Sequence, residues 1–89
     1  MRRTFLLTNP NGLHMRPIQA FVEQANKFAS QVTVGKPGVD ETHNGKSVIH
    51  LLGIGAEKGT EIFVEVTGPD ADAAMNALAQ VLETIYDPE

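Results

Sequence analysis

The stretch TEIFVEVT, residues 60–67, decides the fold class, because apolar and polar side chains alternate along it. In an extended chain, neighbouring side chains point to opposite faces. One face then carries Ile62, Val64 and Val66, and the other carries Glu61, Phe63, Glu65 and Thr67. The turn pairs Lys58-Gly59 and Gly68-Pro69 bound the stretch. It therefore predicts a strand with one face turned toward the core and the other face turned outward.

Three other segments predict strands that can pair with this one. Residues 3–8 alternate in part, with Phe5 and Leu7 on one side, and end at the turn cluster of residues 9–12. Val32 and Val34 begin a second strand, which the run GKPG at residues 35–38 breaks. Residues 39–43 predict a short third strand or hairpin arm.

Helical periodicity marks the remaining segments. A first helix is predicted from Ile18, Phe21, Val22, Ala25 and Phe28 or Ala29, with Pro17 in its first turn. A short helix is predicted over residues 48–52, with Ser47 as its N-cap and Gly53 and Gly55 as its stop. A last helix is predicted from Asp70, its N-cap, to about Tyr86, with a core face of Ala74, Leu78, Val81, Leu82 and Ile85.

The resulting order is strand, helix, strand, strand, short helix, strand, helix. Strands with one apolar face bury it best when the helices cover a single side of an antiparallel sheet. The sequence therefore predicts an α+β open-faced sandwich, formed as one domain over residues 1–89.

Composition excludes several function classes. The chain has no cysteine, which excludes disulfides, thiolate metal sites and cysteine nucleophiles. The net charge is −4 and the seven basic residues are scattered, so we expect no nucleic-acid partner. No apolar run approaches membrane-spanning length, and we expect a cytoplasmic protein without membrane insertion. The three histidines lack metal-site spacing, and we expect neither a metal nor an organic cofactor.

His14 and Arg16 stand together where the first helix begins. A helix N-terminus presents free N–H groups and a partial positive charge, and it is a natural anion site. A phosphoryl group on the His14 imidazole would meet those N–H groups and a guanidinium suited to phosphate oxygens. The same positive field favours the neutral imidazole, which is the nucleophilic form. On spacing alone, a histidine near a helix start is more often an ordinary capping or surface residue than a phosphoryl acceptor.

Two motifs carry a resemblance to a known family. Residues 12–17, GLHMRP, followed by Phe21-Val22, resemble the active-site segment of the HPr family, the histidine-containing phosphocarriers of the phosphoenolpyruvate-dependent sugar phosphotransferase system. Residues 44–55, NGKSVIHLLGIG, are similar to the regulatory-serine segment of that family. The resemblance covers nearly the whole chain and implies a four-stranded antiparallel sheet with three helices on one face, in the order βαββαβα.

The resemblance also implies roles for particular residues. His14 would accept a phosphoryl group at Nδ1 from phosphorylated enzyme I and pass it to a sugar-specific enzyme IIA, and Arg16 would steady the phosphate. Ser47 would take a regulatory phosphate in bacteria that have HPr kinase. Such a protein is a carrier and not a stand-alone catalyst. We expect a monomer whose apolar side chains beside His14 form the partner-docking surface: Met15, Val48, Ile49 and Leu52.

The chain departs from the family pattern at Met15, Ile18 and Gln19, where small residues are usual. We expect these three on the exposed or edge side of the first helix, where they would reshape docking. The segment 35–43 is also about two residues longer than usual, a change that surface loops tolerate.

Two other hypotheses stay open, and the departures motivate the first of them. One is a regulatory binding module that acts through Ser47 phosphorylation and partner docking. The other is a small α+β domain that binds an anion at the first helix and transfers nothing. His43 receives no role, and His50 is interpreted as a solvated surface histidine.

Overall fold

The computed structural model describes residues 1–84 of the chain. In this range the elements follow the predicted order: β1 (Arg2–Leu6), α1 (Met15–Ala25), β2 (Gln31–Gly35), β3 (Thr42–Asn44), α2 (Val48–Leu52), β4 (Glu61–Thr67) and α3 (Ala71–Glu83). The third strand begins three residues later than predicted and pairs with β2 through Asn44. The last helix ends at Glu83, and the predicted core residue Ile85 and helix end Tyr86 lie outside the described residues.

The four strands form one sheet in the order β1-β4-β2-β3, and all neighbours are antiparallel. Residues 60–67 give the clearest strand pattern because β4 is an interior strand, bonded along both edges. Ile62 lies opposite Phe5 of β1, and Val64 lies opposite Val34 of β2. This register places the apolar side chains of three strands on the same face of the sheet.

The core lies between that face and the helices. Ile62, Val64 and Val66 are fully buried, together with Ile18 of α1 and Leu78 of α3. Fully burying a side chain of this kind contributes roughly 1.5–3 kcal/mol. The predicted open-faced sandwich, four antiparallel strands with three helices, is confirmed.

Phe63 lies on the outer face, as predicted, but it is only 4% exposed. The guanidinium of Arg2 covers its ring at 4.1 Å from the ring centroid. Gly35, opposite Phe63 on β2, also makes room, since a Cβ at this position would lie 2.7 Å from two ring atoms. Phe63 therefore faces out as predicted and is covered all the same, because alternation gives the direction of a side chain and not what covers it.

Asp70 occupies the N-cap position of α3, as predicted, but its carboxylate makes no capping hydrogen bond. It accepts hydrogen bonds from the Ser30 hydroxyl and from the N–H groups of Ala29 and Ser30, both of the latter at 2.9 Å. The Ser30 hydroxyl, and after it the Ala29 N–H, hold the pKa of the Asp70 carboxyl below its usual value. Asp70 thus fastens the start of α3 to the segment that leads into β2.

Replacing Asp70 by Asn should lower the free energy of unfolding at pH 7, because the charged acceptor is lost. A carboxyl whose pKa is depressed in the folded state stabilises the fold above its unfolded pKa, about 3.9. That contribution disappears as the pH falls through the lower folded-state pKa. Urea denaturation between pH 7 and pH 2.5 should show the difference between wild type and Asp70→Asn shrinking below about pH 4. Asp72→Asn, an exposed change in the same helical turn, is the control, and an equal loss in both variants would contradict the assignment.

Candidate functional site

His14 is the N-cap residue of α1. Its backbone is extended, and its carbonyl oxygen accepts the hydrogen bond from Ile18 N–H at 3.0 Å. The imidazole makes no side-chain capping hydrogen bond, so the ring does not cap the first amides of the helix. The residue is half-buried, and its Nε2 has almost no exposed surface. A nitrogen with so little exposed surface is poorly accessible to another molecule.

The first turn of α1 is electropositive. The amides of Met15 and Arg16 precede the first intrahelical hydrogen bond, and helix geometry leaves them without an intrahelical partner. Pro17 is buried and has no N–H to offer. The Arg16 side chain is exposed, and no acidic side chain lies in this turn. The turn therefore favours an anion through two amides, the helix dipole and one guanidinium.

The loop before His14 is held by close backbone contacts. Gly12 has a φ of +66°, and a Cβ here would lie 2.5 Å from the Ala56 carbonyl oxygen and 2.6 Å from Glu57 Cα. Next to it, Leu13 N–H donates to that same Ala56 oxygen at 3.0 Å. The loop can pack this closely only because residue 12 lacks a side chain.

Helix α2 carries the second motif and packs against α1. Ser47 is its N-cap, as predicted, and the Ser47 Oγ accepts a hydrogen bond from His50 N–H at 3.3 Å. Leu51 points into the core, while Ile49 and Leu52 are 80% and 47% exposed. Val48 and Met15 are half-buried. The structure thus leaves an apolar surface on α2, with Met15 at the start of the neighbouring helix.

The comparison with protein families matches residues 1–84 to the model described as "PTS HPr component phosphorylation site". This chain belongs to the HPr family. The members of that family are phosphocarriers of the phosphotransferase system, and the resemblance inferred from the two motifs is confirmed.

Individual relatives support the family assignment over most of the chain. Phosphocarrier protein HPr of Haloferax volcanii is 36% identical over 84 residues, which cover 94% of each chain. The crystal structure of an HPr from Thermoanaerobacter tengcongensis matches with a TM-score of 0.86 at 32% identity, covering 93% of this chain and 91% of that one. The crystal structure of Crh, a catabolite repression protein of Bacillus subtilis, matches with a TM-score of 0.73 at 33% identity, covering 88% of each chain.

The departures from the HPr pattern lie in three different environments. Ile18 is fully buried, so its expected place on the exposed or edge side of α1 is wrong. It is the first residue of the apolar stripe that faces the sheet, and a larger residue there fills the core. Gln19 is exposed, and Met15 is half-buried at the start of the helix. Of the three departures, Met15 and Gln19 can therefore alter contacts with a partner, whereas Ile18 acts only through packing.

The other two histidines lie in β3 and in α2. His43 is in β3, where its ring is largely buried and its Nε2 lies 3.3 Å from an Oε1 of Glu41. His50 is exposed, as predicted, and its Nδ1 accepts a long hydrogen bond from Asn44 N–H at 3.5 Å. Both line a cleft of about 460 Å³ beside β2, β3 and α2, and His14 lies outside it. Among residues 1–84, no three His, Asp or Glu side chains are grouped so that they could hold a metal ion.

No helix within residues 1–84 combines the length and the apolar character that crossing a bilayer requires.

Gly12→Ala should destabilise the protein by roughly 2–5 kcal/mol, the sum of a left-handed backbone penalty and a steric clash. Gly55→Ala is a closely matched control, because Gly55 has the same φ of +66° and open space around it. That variant carries the backbone penalty alone and should lose about 1–2 kcal/mol. Urea unfolding of both variants measures the difference. Equal losses would mean that the contact of Gly12 with the segment at Ala56 and Glu57 does not constrain the loop.

Proposed function

We propose that this chain accepts a phosphoryl group on Nδ1 of His14 from phosphorylated enzyme I and passes it to a sugar-specific enzyme IIA domain. The observation that carries the proposal is the position of His14. Its imidazole lies at the positive end of α1 and makes no side-chain capping hydrogen bond, and its Nε2 has almost no exposed surface. In this proposal the protein works as a cytoplasmic monomer, because the surface around His14 must stay open to successive partners.

The transfer step needs a nitrogen lone pair and hydrogen-bond donors that stabilise the negative charge of the phosphoryl oxygens. The Nδ1 lone pair attacks the phosphorus atom, the new N–P bond forms, and the bond between phosphorus and the donor group of enzyme I breaks. Delivery to enzyme IIA runs the same exchange in the opposite sense, with His14 as the leaving group. In this proposal the amides of Met15 and Arg16 and the Arg16 guanidinium donate hydrogen bonds to the phosphoryl oxygens.

A carrier must hold its phosphoryl group without trapping it. A helix N-terminus stabilises a nearby anion by about 0.3–1 kcal/mol, and by up to ~2 kcal/mol in a partly buried site. One exposed arginine adds a charge-assisted hydrogen bond that solvent screens. These modest contributions suit reversible transfer, and positioning of the donor and acceptor groups falls to the partner proteins.

The exposed apolar side chains of α2 fit the docking role. Ile49 and Leu52, with Val48 at their margin, offer an apolar surface on the helix that packs against α1. Transient partners use small surfaces that form and dissolve quickly. Met15, adjacent to His14, extends this docking surface toward the phosphoryl group.

A regulatory role through Ser47 is the second candidate, and the similarity to Crh of Bacillus subtilis favours it. A phosphate on Ser47 would stand at the N-cap of α2, directly before Val48 and Ile49 of the docking surface. Its negative charge would suit a helix N-terminus and would repel an acidic partner. In its strict form this hypothesis predicts that a protein kinase with ATP modifies Ser47 and that enzyme I leaves His14 unmodified.

Incubation with phosphoenolpyruvate and enzyme I should yield an acid-labile, alkali-stable phosphate on the wild-type protein. His14→Ala should abolish it, while His50→Ala, which removes an exposed histidine elsewhere, should leave it intact. Arg16→Ala should slow transfer roughly 10- to 100-fold, in line with the loss of one charge-assisted hydrogen bond. Arg16→Lys should fall between wild type and Arg16→Ala, since lysine keeps the charge but not the planar fork. A labile phosphate that persists in His14→Ala would refute the assignment of His14.

A further inference from the structure

Asn9 is a buried residue at the start of the loop that carries His14. It is 2% exposed, and Asn9 and Ser30 are the two buried polar residues within residues 1–84. The Asn9 Nδ2 donates a hydrogen bond at 3.0 Å to the carbonyl oxygen of Thr84, 75 residues further along the chain. Burying an amide is unfavourable unless it is hydrogen-bonded, so this contact holds Asn9 in one position. This contact could not be recognised from the sequence, because Asn9 belongs to an ordinary turn cluster and its partner is a backbone atom.

The acceptor of that bond is itself fixed. Thr84 is the C-cap of α3, with an extended backbone that turns its carbonyl away from the helical path. Its N–H and its Oγ1 both donate to the Gln80 carbonyl oxygen, at 3.1 and 2.6 Å. The Asn9 side chain is therefore hydrogen-bonded to the C-terminal end of a thirteen-residue helix.

A short series of hydrogen bonds leads from Asn9 to His14. The Asn9 carbonyl oxygen accepts from Gly12 N–H at 2.9 Å, which closes the turn of residues 9–12. Leu13 N–H then donates to the Ala56 carbonyl oxygen at 3.0 Å, and His14 follows directly. The loop is thus fixed at one end by α3 and at the other by the segment before β4. Its orientation sets the direction in which the His14 ring leaves the backbone.

We propose that Asn9 is a positioning residue for the phosphoryl acceptor. Its amide holds the 9–13 loop so that the His14 ring keeps Nε2 inward and presents Nδ1 to the partner. This inference rests on the proposed function of His14. It also makes the C-terminal end of α3 part of the phosphoryl site, although no residue of α3 needs to touch the phosphate.

Without the Asn9 amide, the loop samples several orientations and the ring spends less time in the reactive one. A misplacement of about 1 Å at a reacting group can slow a transfer by up to about 100-fold. We expect Asn9→Ala to lower kcat/KM for transfer from phosphorylated enzyme I about 10-fold. The loss should fall on kcat more than on KM, because the α2 docking surface is unchanged.

Asn26 offers a matched control. Its side-chain Nδ2 also donates to backbone carbonyls, those of Val22 at 2.9 Å and Lys46 at 3.3 Å. It lies past the C-terminal end of α1, at the opposite end of the helix from His14. Asn26→Ala therefore removes side-chain amide hydrogen bonds to backbone carbonyls at an exposed position and leaves the 9–13 loop intact.

The experiment compares wild type, Asn9→Ala and Asn26→Ala by urea unfolding, by transfer kinetics and by ¹⁵N NMR of the histidine rings. Asn9→Ser, which keeps a short donor, replaces Asn9→Ala should the latter not fold. We expect only the Asn9 variant to lose about 10-fold in kcat/KM and to shift the His14 ring nitrogen signals. Equal kinetics in the two variants and unmoved His14 signals in the Asn9 variant would overturn the inference. A wild-type protein that takes no phosphate would instead refute the proposed function, and the ring signals would still test the positioning role.

Discussion

The site depends on the positive N-terminal end of α1. This end must lie at the surface, with a histidine in the N-cap position. A helix N-terminus attracts an anion only if its first amides stay open and no side chain occupies them. In this protein the Ile18 N–H donates to the His14 carbonyl oxygen, and the imidazole makes no capping hydrogen bond. Gly12 allows the preceding loop to lie against the Ala56–Glu57 backbone, which fixes where the helix begins.

The sheet supplies the rigidity that this arrangement needs. Strand β4 is bonded on both sides, and its inner face packs against α1 and α3 through fully buried side chains. The same segment connects to the site, since the residues just before β4 hold Leu13 and Leu7 through backbone hydrogen bonds. The buried side chains thus stabilise the scaffold, and under the proposed function the helix end adds only a small stabilisation of the phosphoryl group. That division suits a protein of the HPr family, which must release what it binds.

Local patterns predicted the features that depend on nearby residues. The alternation in residues 60–67 predicted β4, and the serine before an apolar run predicted the N-cap of α2. Pro17 and the apolar spacing that follows it placed α1, with His14 at its start. The family resemblance, which the two motifs carried, then added chemical roles that helical spacing alone cannot supply.

Features that depend on distant partners could not be predicted in this way. Phe63 is covered by Arg2, and the Asp70 carboxylate turns back to Ser30 instead of capping its own helix. Ile18 was misplaced because the comparison with small family residues suggested an edge, whereas the stripe along α1 buries it. Asn9 looked like a turn residue, and its partner lies at the far end of the chain. For Phe63, Asp70 and Asn9 the deciding contact joins segments that no periodicity connects, whereas the periodicity of α1 itself indicated that Ile18 is buried.

The central claim is that the His14 ring is held with Nε2 inward, so that phosphorus bonds to Nδ1. Two-bond ¹H–¹⁵N NMR spectra of the protein labelled with ¹⁵N-histidine, recorded before and after phosphorylation by enzyme I, test this most directly. We predict that the Nδ1 signal of His14 moves and acquires a coupling to ³¹P, while Nε2 keeps its proton. A coupling between ³¹P and Nε2 of His14, or phosphorus on His43 or His50, would contradict it.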